Sequence, residues 1–237
     1  MFKQAKQNRV FQDIVDQIEE AILSGKVSVG SKLPPERELK DLFNTSRGTL
    51  REALRVLEQK GLIEIKLGVN GGIIVKELSS DKATESLAML LRSQIITIDQ
   101  LSEFRVDIEG NVASLAAKRA TIKNTVRLKA LLEEARKYTE DVDWDSFIRI
   151  DQKIHLEFAV ISKNPIYLSI QRTIQDNIFD YYMKYLPKTK ELLEEDLNDL
   201  TGVIDAVLGN DSELACSRVR EHVAGFSDKM REIELKE

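Results

Sequence analysis

Apolar residues recur at helical spacing from the ninth residue onward. In RVFQDIVDQIEEAILS (9–24), Val10, Ile14, Ile18 and Ile22 stand four apart, one stripe of a helix that Gly25 ends. KVSVGSKLPPE (26–36) reads as a loop, and Pro35 suits the first turn of a short helix over about 35–43 with Leu39, Leu42 and Phe43 on its apolar side. Ser46 is a natural N-cap for a third helix that runs to Lys60 and stops at Gly61, its buried face being Leu50, Ala53, Leu54 and Leu57. The period then changes: LIEIKL and IIVKEL alternate on either side of GVNGG, which predicts a β-hairpin. Three helices followed by a two-stranded ribbon make a winged helix-turn-helix, assigned to residues 1–76.

KELSSD (76–81) marks a linker, bounded at 77–82, and from 83 to 237 nearly every segment reads as helix. Caps are expected at Thr97 or Asp99, Thr121, Asp143, Asn164 and Asp211, with Pro165 at a first helical position and Pro187 breaking the chain between two helices. The expected fold is mainly α: an N-terminal winged helix-turn-helix with a small hairpin wing, then an all-α bundle of six or seven helices. There is no internal repeat or low-complexity tract.

Composition narrows the function classes. With 42% hydrophobic residues the chain can build a core, and no run reaches the ~18 uncharged apolar residues of a membrane span. MFKQAKQNRV lacks a signal peptide's apolar region, and a lone cysteine, Cys216, excludes an intramolecular disulfide; both suit a cytoplasmic protein. The net charge of -5 argues against nucleic acid until it is divided. Residues 1–76 carry 13 Lys/Arg against 10 Asp/Glu, a net of +3, and the remainder 22 against 30, a net of -8. A binding module needs only local positive charge.

The third helix supplies it. Arg47, Arg51 and Arg55 follow at i, i+4, i+8 beside the apolar stripe, and Ser46, Gly48 and Thr49 put small polar groups at the helix start. Arginine forks reach guanine or phosphate, hydroxyls reach phosphate, and glycine lets the backbone approach, so double-stranded DNA is the expected partner. Glu52 and Glu58 dilute the charge. In the second half, polar residues sit where helices should be apolar: Arg105 among Leu101, Phe104, Ile108 and Val112; Asp151 and His155 beside Phe147, Ile154, Phe158 and Ile161; His222 among Ala215, Val219 and Phe226; Asn177 with Ile166, Ile170 and Tyr181. Buried polar groups must satisfy one another or a ligand. Asp151 and His155 with a distant His222 could be half a transition-metal shell or a hydrogen-bonded pair. Cys216 reads as a packing residue, and ELLEEDLND as a solvated helix face that includes Asp196.

LPPEREL (33–39), TSRGTLREAL (45–54) and GLI (61–63) resemble the DNA-binding domain of GntR-family bacterial transcription regulators. The resemblance implies DNA contacts from Arg37, Ser46, Arg47, Thr49, Arg51 and the wing tip at Gly68, with Gly48 where a second hydroxyl residue often sits. FRVDIEGNVASLAAKRAT, DQKIHLEFAVISKN and AVLGNDSELACSRVREHV resemble the FCD ligand-binding domain of the FadR subfamily. That resemblance implies a divalent metal, zinc- or nickel-like, held by Asp151, His155 and His222, which anchors a small carboxylate effector with Arg105 and Asn177. The fourth ligand, a histidine in many members, falls on Leu200 here; Asp196 or Asp199 could reach in instead. It also implies a homodimer on a near-palindromic operator and, as the default direction of control, a repressor that the effector releases. A regulator of the same fold that answers to the ion itself or to acyl-CoA is the alternative. An enzyme is not expected, since no independent catalytic base accompanies the three ligands.

Overall fold

The computed structural model describes residues 9–68, 71–77, 81–93 and 95–234. The chain divides into two compact units, Met1–Lys82 and Ala83–Glu237. The expected linker falls partly on residues 78–80, outside the described residues, as do Val69 and Asn70 of the expected wing tip.

The first unit holds α1 (Arg9–Leu23), α2 (Glu36–Leu42), α3 (Arg47–Gln59), β1 (Ile63–Lys66) and β2 (Gly72–Val75). Ile14, Ile18 and Ile22 of α1 are buried against Leu50, Ala53, Leu54 and Leu57 of α3, closed from the other side by Ile63, Ile73 and Val75. Two positions assigned to apolar stripes are exposed: Val10, in the first turn of α1, and Leu42, at the last position of α2. Ser46 caps α3 by accepting from the Thr49 amide at 3.1 Å. Gly61, at φ 77°, turns the chain out of that helix in a conformation that side chains disfavour.

β1 and β2 pair antiparallel, Ile63 opposite Val75 and Lys66 opposite Gly72. The loop before α2 adds a third contact that the sequence pattern does not show. The Val75 amide donates to Ser31 O at 2.9 Å, and the Gly30 and Leu33 amides donate to Val75 O and Ile73 O at 2.8 Å each. The open edge of β2 is thereby covered.

The second unit holds α4 (Asp81–Arg92), α5 (Ile98–Arg119), α6 (Ile122–Glu140), α7 (Trp144–Ile161), α8 (Pro165–Tyr185), α9 (Lys190–Leu208) and α10 (Ser212–Glu234). Each expected start has its cap. Thr97 and Gln100 form a capping box, Asp143 accepts from Ser146 N, Asn164 from Ile166 N, and Asp211 from Leu214 N. The core gathers Phe147, Ile154 and Phe158 of α7, Leu193, Leu200 and Ile204 of α9, and Val219, Val223 and Phe226 of α10. α5 packs along α10, and α7 turns back on α8 through the short Ser162–Asn164 connection. No helix among the described residues is long and apolar enough to cross a membrane.

Candidate functional site

In the first unit, Arg37, Arg47 and Arg55 are exposed and make no ion pair among the described residues. Arg51 is exposed too, but its Nε donates to Glu36 Oε2 at 2.9 Å, joining the LPPEREL segment to the third helix. The Ser46 hydroxyl is committed to its cap and lies 2.9 Å from the Thr49 hydroxyl. Gly48 and Gly68 are open to solvent. The first turn of α3 thus presents arginine and bare backbone, with its hydroxyls organising the turn.

In the second unit, Asp151 and His155 project from one face of α7, one turn apart, and His222 approaches from α10; all three are buried. His155 Nε2 and His222 Nε2 lie 3.2 Å apart, and Asp151 Oδ1 is 3.3 Å from the first and 3.6 Å from the second. Two ligands about 2.1 Å from one ion at tetrahedral to right angles lie about 3.0–3.4 Å from each other, so this triangle comes close to one face of a metal shell. Each imidazole's other nitrogen meets a carboxylate. His155 Nδ1 is 2.5 Å from Glu109 Oε2, and His222 Nδ1 is 3.1 Å from Asp196 Oδ1. Such carboxylates set the tautomer and aim the free nitrogen at the ion. Glu109 also accepts from Arg105 Nε at 2.6 Å, while Arg105 Nη1 has no partner among the described residues.

The description "Bacterial regulatory proteins, gntR family" fits residues 11–73, and the FCD domain fits residues 100–225. The chain belongs to the GntR family. The Glc operon transcriptional activator of Escherichia coli (strain K12) is 26% identical over 231 residues, spanning 94% of this chain and 89% of that protein. The transcriptional repressor NanR of Enterobacter sp. (strain 638) is 26% identical over 222 residues, spanning 90% and 82%. Among solved structures, Streptococcus agalactiae GntR aligns with a TM-score of 0.65 at 25% identity, covering 92% of this chain and 99% of that one. This GntR protein is therefore a DNA-binding transcription regulator and not an enzyme.

Electrostatics ties the buried groups of this GntR regulator into one unit. Burial opposes the charge on His155, but Glu109 and Asp151 outweigh it and push the imidazole up to about 9. Burial likewise opposes charge on Glu109, and Arg105 with His155 hold it down to about 2. Asp196 goes the other way, pushed up to about 6 by burial despite the pull of His222. Glu109, Asp151 and Asp196 carry three negative charges against one on Arg105, so with neutral imidazoles the interior is two negative charges in excess. One divalent cation, or two protons on the imidazoles, would balance it.

The structure brings Arg105, Asp151, His155 and His222 together. Asn177 sits elsewhere on α8, its amide donating to Thr173 O at 2.8 Å, and borders a cleft with Arg149, Gln152 and Gln175. On α5 the buried line is Leu101, Arg105, Glu109 and Val112, whereas Phe104 is 38% exposed. On α8 Ile166 is exposed as well, and the buried side carries Ile174, Ile178 and Tyr182. Leu200 is buried, as its place on the α9 stripe requires. The sequence pattern assigns no role to Glu109 and offers Asp196 as a stand-in for the fourth ligand, whereas Asp196 lies against His222 Nδ1, on the far side of that ring from Asp151 and His155. Glu109 stands one turn from Arg105, the signature of an ordinary surface pair, and Asp196 lies within an acidic run.

Proposed function

We propose that this GntR regulator senses a small carboxylate-bearing metabolite through a divalent ion held by Asp151, His155 and His222. The observation that carries the reading is the convergence of two imidazole Nε2 atoms and one carboxylate oxygen, each imidazole backed by its own carboxylate. A bound ion would supply a Lewis-acidic anchor for the effector's carboxylate. Arg105, with Nη1 unpartnered beside the cluster, would take the carboxylate's second oxygen. Leu200 withholds a fourth protein ligand, so the ion's remaining positions are left to water or effector.

On the DNA side, Arg37, Arg47 and Arg51 would carry the contacts with phosphate and base edge. Ser46 and Thr49 would hold the helix start, while Gly48 and Gly68 would allow close backbone approach. Two heads of a homodimer would each take one half of a near-palindromic operator, and effector binding would shift the population able to engage both halves. The test follows operator binding by purified protein with metal alone, with carboxylic acids alone, and with both. A response needing both supports the reading, a response to metal alone makes the ion the effector, and absence of stoichiometric metal under any loading condition overturns it.

A further inference from the structure

The side-chain amides of two glutamines on α8 play no part in the fold's hydrogen bonding. Gln171 is 1% exposed and Gln175 5%, and neither the amide nitrogen nor the amide oxygen of either makes a hydrogen bond among the described residues. Four such atoms one turn apart are unusual, because buried amide groups are otherwise almost always paired and an unpaired one is destabilising. Their position is specific. At 100° per residue, Gln171, Gln175 and Tyr182 fall within about 20° of one line along α8. Tyr182 faces the bundle's interior, its ring 5.6 Å from Arg105 Cζ and 5.5 Å from the Phe226 ring.

Their level along the bundle is set by the hairpin of α7 and α8. Gln152 Nε2 donates to Gln175 O at 2.7 Å, which puts Gln175 opposite the turn of α7 that carries Asp151. Gln171, one turn nearer the hairpin, stands opposite the turn that carries His155. The orphaned amides thus share the level of the three candidate ligands and the face that reaches Arg105. Gln175 also borders a cleft of about 260 Å³ that Asn177 and Gln152 line.

We infer that Gln171 and Gln175 are specificity residues for the effector's hydroxyl groups, and that the effector is a polyhydroxylated carboxylic acid rather than an apolar one. This rests on the carboxylate-sensing reading above and adds the class of acid. An amide offers two donors and two acceptor sites, which suits successive hydroxyls along a chain. A hydroxylated chain gains by pairing these four atoms, whereas an aliphatic tail leaves them as they are and gains nothing from them.

The test compares metal-loaded wild type with a Gln171→Leu/Gln175→Leu variant against six-carbon acids, hexanoate bearing no hydroxyl and gluconate and glucuronate bearing several. Calorimetry gives affinity and native mass spectrometry gives metal content. Wild type should bind at least one hydroxylated acid at least about tenfold tighter than hexanoate, and the variant should cut that preference to about twofold or less with its metal content unchanged. Without ligand the variant should melt no lower than wild type, because its leucines replace unpaired amides; a clear drop in Tm would show that the amides serve the fold and overturn the inference. An unaltered preference in the variant, or a wild type that favours hexanoate, also overturns it while leaving carboxylate sensing intact. If no acid binds wild type, carboxylate sensing itself fails and takes this inference with it.

Discussion

His155 Nε2 and His222 Nε2 lie 3.2 Å apart on helices far separated in sequence, and the other nitrogen of each ring rests on its own carboxylate. Two imidazoles so held can share one ion or hold two protons, and the two states respond oppositely to pH.

Metal binding should therefore release protons. His155, held up to about 9 by Glu109 and Asp151 against burial, and His222, raised by Asp196 against burial, are both protonated at neutral pH without an ion, and an ion can bind only the neutral rings. Affinity should rise as pH rises towards about 9, and calorimetry in two buffers of different ionisation enthalpy should count more than one proton released per ion near pH 7.

Metal-free protein should show the complementary stability profile. The folded pKa of His155 lies above the unfolded value of 6.5, so its contribution is complete below about 6.5 and lost as pH rises through about 9. Glu109, held down to about 2, contributes above its ordinary 4.5 and loses that contribution as pH falls towards 2. Urea unfolding of metal-free protein should give greatest stability between about pH 5 and 6.5, and saturating metal should remove the alkaline decline.

Glu109→Ala should be among the most damaging single changes. It strands Arg105 and deprives His155 of its orienting partner, so unfolding free energy should fall by about 3–5 kcal/mol. Asp196→Asn should leave the fold nearly intact and weaken metal by about 10–100-fold, read by competition with a chromophoric chelator. Leu200→His, by returning an imidazole to the shell, should tighten metal by at least about tenfold.

Arg51→Ala should separate binding from folding. Its pair with Glu36 is exposed and contributes at most about 1 kcal/mol, so Tm should barely move. Operator affinity should fall by about 1–3 kcal/mol with relaxed sequence preference. Gly71→Ala should act differently, since a Cβ there would fall 2.1 Å from Lys66 O and force the hairpin turn open. Operator binding should drop while the second unit keeps its metal content.

Much of this was legible because helices announce themselves by period and cap. The Leu50–Leu57 face of α3, the Ser46 cap and the Asp151–His155 turn all follow from local spacing. What escaped depends on which side a helix turns inward. Phe104 and Arg105 are adjacent, and only the partner helices decide that the arginine is buried and the phenylalanine 38% exposed. Once Arg105 is inside it needs a carboxylate, and Glu109 at i+4 is the nearest available. Asp196 lies three residues after Leu193 and four before Leu200, a buried slot that its acidic neighbours disguise. Gln171 and Gln175 gave no signal, since the 3.6 period alone does not tell a lining position from a surface one.

β2 is bonded along both edges, by β1 on one side and by residues 30–33 on the other. A ribbon held on one edge can peel away strand by strand. This one would have to tear the chain leading into α2 before it opened, so the wing and the lead into the reading helices behave as a single stiff block. The amides of Val75 and Leu33, which bond across this seam, should exchange with solvent only when the whole head unfolds, and an operator must accommodate the head as it stands.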